Sequence, residues 1–134
     1  MKAIRYAWAL PATCVGATLG LVALARGARV RIVGGALEVA GGMPRRFGFG
    51  AITFGHVIIG QSAQCLAACR SHEHVHVRQY ERWGVLFFAL YAGSSLVQWL
   101  RGGDPYRDNR FEREAYAADR AARAGDAIPP PGGG

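Results

Sequence analysis

Lysine is almost absent from this chain, and cysteine is scarce. Of the 16 basic residues, 15 are arginine, and the net charge is +7. Nucleic-acid-binding surfaces concentrate positive charge on one face or stripe, often with aromatic residues between the charges. The arginines here are scattered along the sequence instead, so we expect no nucleic-acid partner. The three cysteines, Cys14, Cys65 and Cys69, are an odd number, which argues against a disulfide framework.

Internal repeats are also lacking, and the 134 residues correspond to one ordinary domain. A hydrophobic fraction of 51% is too high for a disordered chain. We expect an α+β domain over residues 27–124. An apolar segment, 1–26, precedes it, and a disordered tail rich in proline and glycine, 125–134, follows it.

Residues 6–25, YAWALPATCVGATLGLVALA, contain no charged side chain. Twenty uncharged residues are long enough to cross a bilayer as a helix. A cleaved secretory signal has the same basic start, but this stretch is longer than a usual signal core and no clean A-x-A site precedes Arg26. We interpret the segment as a transmembrane helix. A cleaved signal and a buried helix of a soluble domain are the alternatives.

The charges on either side of this segment bear on its orientation. Arg26, Arg29 and Arg31 follow it, whereas Lys2 and Arg5 precede it. Positive charge accumulates on the cytoplasmic side of membrane helices. The sequence therefore predicts membrane localisation, with the following domain on the cytoplasmic side.

The part of the chain after this segment has the pattern of a small antiparallel sheet. Alternating apolar residues on both sides of Gly34 and Gly35 predict a hairpin over Arg29–Ala40 with a tight glycine turn. A loop follows at 41–46. Ala51–Gly60, AITFGHVIIG, is rich in β-branched and aromatic residues and predicts a third strand.

A helix that carries the main motif of the chain is predicted over 61–83. Ser62 is suited to cap its start, and Gly84 is suited to end it. Within this helix the segment HEHVH fits the pattern H-E-x-x-H. Residues four apart lie one turn above each other on the same helical face, so His72 and His76 can bind one metal ion.

This spacing is typical of a zinc site that activates water. Zinc binds histidine nitrogens at about 2.0–2.1 Å, and its catalytic sites keep one position open for water. Glu73 lies beside the first ligand, where it can act as general base on that water. The sequence therefore predicts Zn²⁺ as cofactor, His72 and His76 as ligands and Glu73 as the catalytic residue.

Two histidines outside the pattern have simpler interpretations. His74 points about 200° away from the ligand face, which is typical of a polar surface or bridging residue. His56 lies in the predicted third strand and either hydrogen-bonds near the site or packs.

Two more helices are predicted after the motif. Residues 85–100 carry no charge and are short for a membrane span, so they form either a tilted or re-entrant membrane helix or a buried helix. The last helix covers 110–124 and is capped by Asp108 or Asn109.

The third metal ligand should be an acidic residue or a histidine beyond the motif helix. Glu112 is preferred, because Phe111 and Ala115 give its side of the last helix an apolar, core-facing character. Glu114 faces away and falls near two arginines, which suits a solvated ion pair. The full set of acidic candidates is Asp104, Asp108, Glu112, Glu114 and Asp119.

The segment EREA that starts at Glu112 matches E-x-x-A. With this second motif the sequence resembles the gluzincin class of zinc metallopeptidases, especially its smallest members. In that class a helix bearing H-E-x-x-H follows a small sheet, and a later helix supplies a glutamate. The resemblance covers about Arg29–Ala124 and implies that His72, His76 and Glu112 hold zinc. Many gluzincins place an aspartate four residues after that glutamate, where this chain has Tyr116.

The sequence therefore predicts a membrane-attached, metallopeptidase-like protein that hydrolyses a peptide or protein substrate. Ala51–Gly60 would receive the extended substrate as an edge strand. Tyr80, one turn after His76, either packs its ring or steadies an oxyanion. The first alternative is a membrane-attached metal-binding module with a structural or sensory role. The second is a basic nucleic-acid binder with a fortuitous motif.

Overall fold

The computed structural model describes residues 1–44 and 48–126, and their mixture of helices and strands confirms the α+β class. The predicted tail, 125–134, overlaps the last helix, and its residues 127–134 lie outside the described part, as do Arg45 and Arg46 of the predicted loop. In chain order the elements are α1 (Lys2–Ala25), β1 (Arg29–Val33), β2 (Ala36–Ala40), β3 (Ala51–Phe54), β4 (Val57–Gly60), α2 (Ala63–Trp83), α3 (Leu86–Leu100) and α4 (Arg110–Asp126).

The four described strands form one mixed sheet in the order β1-β2-β4-β3. β1 and β2 are the predicted hairpin, paired antiparallel from Arg29 opposite Ala40 to Val33 opposite Ala36. Its turn uses Gly34 and Gly35, whose φ angles of 57° and 83° favour glycine. β2 and β4, however, pair in parallel, so the expectation of a purely antiparallel sheet is wrong.

The expected third strand, Ala51–Gly60, is two strands. The chain reverses at Gly55, where φ is 59°, so that β3 and β4 pair antiparallel with Ala51 opposite Gly60. A Cβ at Gly55 would lie 2.2 Å from the hydroxyl oxygen of Thr13, so the turn needs glycine on steric grounds as well. β4 is buried between β2 and β3, and β3 is left at the edge of the sheet.

Helix α1 packs on the sheet and on the aromatic residues of α2 and α3 through its small residues. Its buried positions recur every three or four residues and are Ala9, Ala12, Gly16, Gly20 and Ala23. A Cβ at Gly16 would lie 2.7 Å from Cβ of Val57 and 2.8 Å from the carbonyl oxygen of Phe54. The helix and the sheet are therefore in close backbone contact, and α1 is part of the core.

The termini of α2 follow the sequence prediction. The hydroxyl of Ser62 accepts a hydrogen bond from the backbone amide of Cys65, and Gly84 ends the helix at a φ of 57°. The predicted helix 85–100 is α3, which begins one residue later and has Phe87 as its buried residue.

A single side chain fixes the start of α4 against α3. Asn109 is completely buried, and its Oδ1 accepts from the backbone amide of Phe111 at 2.9 Å. Its Nδ2 donates to the carbonyl of Tyr91 and to the hydroxyl of Ser95. Of the two predicted caps, the structure therefore shows Asn109 in that role, and its bonds to α3 set the position of α4.

Within the described residues, α1 is long and apolar enough to cross a membrane. At 1.5 Å per residue its 24 residues span about 36 Å, compared with about 30 Å for a bilayer core. Helices α2 and α3, bent by 116° at their junction, pass the same test only as a pair. The same apolar length also occurs in signal sequences and in core helices.

Candidate metal centre

Two helices bring three metal-binding side chains together. His72 and His76 come from α2, and Glu112 comes from the first turn of α4; all three are buried. The Nε2 atoms of the two histidines lie 3.2 Å apart. Oε2 of Glu112 lies 3.0 Å from Nε2 of His72, and Oε1 lies 3.4 Å from Nε2 of His76. The structure thus places the three predicted ligands around one point.

These separations match those of ligands that share a small ion. Ligand atoms in a tetrahedral zinc site, at about 2.0–2.1 Å from the metal, are roughly 3.3 Å from one another. The two Nε2 atoms are 3.2 Å apart, and each lies 3.0 or 3.4 Å from a different oxygen of the Glu112 carboxylate, which is close to that value. Two imidazoles and one carboxylate are also a donor set that occurs in catalytic zinc sites.

The tautomer of His76 follows from its neighbour Gln79. The amide nitrogen of Gln79 faces two groups that can only accept, the carbonyl of Phe111 at 3.2 Å and the carboxylate of Glu114 at 2.9 Å. Its Oε1 therefore faces Nδ1 of His76, at 2.8 Å, and that nitrogen must donate. The neutral ring then presents a lone pair on Nε2 towards His72 and Glu112, as a metal ligand requires.

The carboxylate of Glu112 is held by a second neighbour. Tyr91 of α3 donates its hydroxyl to Oε1 at 2.6 Å. Oε2 is buried and has no hydrogen-bond partner within the described residues, although Nε2 of His72 is close to it. A buried carboxylate oxygen needs a donor or a cation, and either a proton on Nε2 of His72 or a metal ion bound between the two groups would satisfy this one.

The pKa values of Glu112 and His76 also indicate a site that favours positive charge. Burial alone would raise the pKa of the Glu112 carboxyl. The contacts with His72 and His76 lower this pKa by more than burial raises it, so it lies well below its usual range. Burial lowers the pKa of His76, and the carboxylates of Glu112 and Glu73 together raise it above its usual value. The centre therefore favours positive charge between its side chains.

Glu73 lies beside this cluster and is positioned by the edge strand. Its Oε2 accepts a hydrogen bond of 2.7 Å from the hydroxyl of Thr53, a buried residue of β3. Both residues line a cavity of about 330 Å³ that also borders His72, His76 and Glu112. The sequence predicts no role for Thr53, because no local pattern identifies the strand residue that faces α2.

The two remaining histidines lie outside the cluster. Nε2 of His56 is 3.0 Å from Oε1 of Glu81, and its ring stacks on Tyr6 of α1 with centroids 4.0 Å apart. His56 occupies the β3–β4 turn and not the middle of a strand, and it contacts α1 instead of the metal centre. His74 is half-buried, with its ring beside Gly34.

Tyr80 packs in the aromatic core. It is buried, and its ring lies edge-on to those of Phe87 and Phe88 at 4.5 and 5.5 Å between centroids. Burial raises the pKa of its hydroxyl above the usual range. Of the two roles considered for this residue, packing is the one that these contacts support.

Most of the other acidic candidates are engaged elsewhere. Asp104 and Asp108 accept hydrogen bonds from backbone amides of their own loop. Asp119 forms an ion pair with Arg123 at 3.0 Å. None of these three belongs to the metal-binding group in the described part of the chain.

The contacts of Glu114 differ from those predicted from the sequence. It is exposed, but its carboxylate accepts from Gln79, and within 1–44 and 48–126 it forms no ion pair with Arg110 or Arg113. The expectation of a solvated ion pair is therefore wrong. Gln79 reaches far enough from α2 to bind this carboxylate, a contact that a helical wheel of α4 alone does not reveal.

Tyr116 contacts His72, the other predicted histidine ligand. Its ring lies edge-on to that of His72 with centroids 4.5 Å apart. Its hydroxyl is 3.2 Å from the hydroxyl of Tyr106. Tyr116 therefore packs against the ring of His72, whereas Nδ1 of His76 has the side chain of Gln79 as its hydrogen-bond partner.

Comparisons of the chain with known protein families, with curated proteins and with solved structures found no match.

Proposed function

We propose that this protein is a membrane-attached, zinc-dependent metallopeptidase-like hydrolase of the gluzincin type. The observation that carries the proposal is the convergence of the buried His72, His76 and Glu112: the two Nε2 atoms are 3.2 Å apart and lie 3.0 and 3.4 Å from the two oxygens of the carboxylate. Zinc is favoured over harder cations because two of the three donors are imidazoles.

When bound, the zinc ion would supply Lewis-acid activation of water and of the scissile carbonyl. Glu73 would take the proton of the attacking water and later deliver it to the leaving amine. Thr53 supports this role because its hydroxyl donates to one carboxylate oxygen of Glu73, while the other oxygen accepts no hydrogen bond from the described part of the chain. Proton transfer of this kind contributes about 10²–10⁴-fold to a rate.

The edge strand β3 is the proposed binding place for the substrate. It pairs on one side with β4 and lies at the sheet edge, where an extended peptide can add by backbone hydrogen bonds. All four β3 residues also line the cavity at the metal centre. The bound peptide would therefore run past Glu73 with its scissile amide near the histidines.

Attachment to a membrane is supported by two exposed apolar faces. On the side away from the sheet, α1 exposes residues such as Leu10, Leu21 and Val22. Helix α3 carries no charge and exposes Leu96, Trp99 and Leu100, among others. Exposed apolar surface of this extent is unusual for a soluble monomer and suits contact with lipid.

The experiment that tests the proposed hydrolysis compares the parent with Glu73→Gln. Both proteins are purified as full chains in detergent, loaded with zinc and incubated with a mixed peptide library, and the products are identified by mass spectrometry. The parent should cleave, and Glu73→Gln should retain zinc and lose about 10²–10⁴-fold in rate, because the residue is a base and not a ligand.

Three outcomes differ in meaning. Loss of zinc together with activity would show that Glu73 has been given the wrong role. Equal cleavage by both proteins would point to a contaminant. Bound zinc with no cleavage by the parent would favour the alternative of a non-proteolytic metal-binding module.

A further inference from the structure

A second, larger cavity is lined mostly by α4 and carries several arginines. Its volume is about 810 Å³, and its arginines are Arg107, Arg110, Arg113 and Arg120. The last three belong to α4 at spacings of three and seven residues, which places them on one helical face. We refer to this cavity as the arginine pocket.

The positive charge of this pocket is not neutralised by ion pairs. Within residues 1–44 and 48–126, none of its four arginines lies within ion-pair distance of a carboxylate. Its lining also includes Asp108 and Glu114, but these accept hydrogen bonds from the backbone of Asp104 and from Gln79. Four guanidinium groups against two engaged carboxylates leave a cavity that favours an anion.

The pocket adjoins the metal centre. Tyr116 lines the pocket and touches the ring of His72, while its hydroxyl meets that of Tyr106, which lines the cavity at the metal centre. Glu114 also lines the pocket and connects through Gln79 to His76. The linings of the two cavities therefore meet at the exposed contact between Tyr106 and Tyr116.

We propose that the arginine pocket is a subsite for a carboxylate of the peptide substrate, either its free C-terminus or an acidic side chain near the scissile bond. This proposal rests on the proposed function, since it assigns the pocket to the same substrate. Arginine suits the task because its planar guanidinium can bind both oxygens of a carboxylate. The linings of the pocket and of the metal-centre cavity meet at Tyr106 and Tyr116, which favours an anion that belongs to the peptide. A lipid headgroup is the competing anion.

The test measures binding and needs no turnover. Full-length Glu73→Gln protein in detergent is titrated with fluorescein-labelled Ala-Phe-Leu-Ala that ends in a free carboxylate or in an amide. A second pair, amidated at the C-terminus, carries glutamate or glutamine at the last position. At least one acidic peptide should bind roughly five- to tenfold more tightly than its neutral partner, a factor expected for charge-assisted hydrogen bonds.

The same titrations on variants locate the effect. The double variant Arg113→Gln/Arg120→Gln should lose the preference for the acidic peptide, and Arg113→Lys/Arg120→Lys should restore part of it. Arg123→Gln is the matched control, because Arg123 lies on α4, outside the lining, and pairs with Asp119. This control should keep the full preference.

Two kinds of result would overturn the proposal for the arginine pocket, and a third would separate it from the proposed hydrolysis. Equal affinity for acidic and neutral peptides, or a preference that survives the glutamine double variant, would overturn the proposal. So would a loss of binding to phosphatidylglycerol vesicles in that variant with unchanged peptide affinities, which would assign the pocket to lipid. An arginine-dependent preference in a protein whose parent cleaves nothing would uphold the pocket and reject the hydrolytic function.

Discussion

Nδ1 of His76 lies 2.8 Å from the side-chain oxygen of Gln79, and this contact orients the metal-facing nitrogen of the ring. Gln79 is itself fixed, because its amide nitrogen donates to the carbonyl of Phe111 and to Glu114. Gln79 therefore links the start of α4, where Glu112 lies, to the tautomer of His76, a proposed metal ligand on α2. Groups of this kind are needed for metal affinity although they do not touch the ion.

Replacement of Gln79 by leucine should therefore weaken zinc binding. Gln79→Leu removes the acceptor for Nδ1 of His76, and we expect a loss of about 10–100-fold in zinc affinity, measured by competition with a chromophoric chelator. Gln64→Leu is the control, since Gln64 is exposed on the same helix and should leave affinity unchanged. Equal affinity of Gln79→Leu and parent would show that the hydrogen bond does not support the site.

Alanine variants of the two glutamates on α4 distinguish ligand from support. Glu112→Ala should lose zinc, because it removes the proposed third ligand. Glu114→Ala should retain zinc with a smaller loss of affinity, since Glu114 reaches the centre only through Gln79. Chelator competition on both proteins provides the comparison. If Glu114→Ala lost zinc and Glu112→Ala did not, the assignment of the ligand would be reversed.

The packing of α1 on the sheet gives a prediction for stability. Gly16→Ala places a Cβ 2.7 Å from that of Val57, and we expect a loss of about 1–3 kcal/mol in the free energy of unfolding. Gly93→Ala on α3 is the control. A Cβ there meets nothing within 4 Å, so the better helix propensity of alanine should leave stability equal or improved. Thermal denaturation in detergent measures both; equal melting temperatures would contradict the tight contact.

The membrane proposal predicts that the full chain stays with membranes during carbonate extraction. Because α1 contributes Ala9, Ala12 and Gly16 to buried contacts, its removal would expose the core, and we expect the extracted protein to retain its original N-terminus. N-terminal sequencing of the extracted protein checks this. A soluble chain that begins beyond Ala25 would rule out the anchor and support a cleaved signal.

Much of the fold could be predicted because its local signals are strong. The glycine pair specified the first hairpin, Ser62 and Gly84 delimited α2, and the run without charge outlined α3. The second hairpin was missed because apolar residues continue through Gly55, and one glycine does not distinguish a turn from a strand. The parallel pairing of β2 and β4 depends on the path of the loop between them, which no local pattern encodes.

The candidate site was predictable where helix spacing determines it. The interval of four between His72 and His76 requires a common face, and the apolar neighbours of Glu112 pointed to its burial. The supporting contacts of Thr53, Gln79 and Tyr91 join different elements, so they became visible only in the folded chain. The arginine pocket was missed for a similar reason, since Arg107 joins the α4 arginines through a loop.

Elemental analysis of the purified protein tests the central claim most directly. The full chain, expressed with zinc in the medium and freed of loosely bound metal by gel filtration, should contain one zinc ion per chain by inductively coupled plasma mass spectrometry. His72→Ala/His76→Ala, prepared in parallel, should contain almost none. A parent protein without stoichiometric metal that also fails to take up added zinc, or a double variant that binds as much zinc as the parent, would contradict the account.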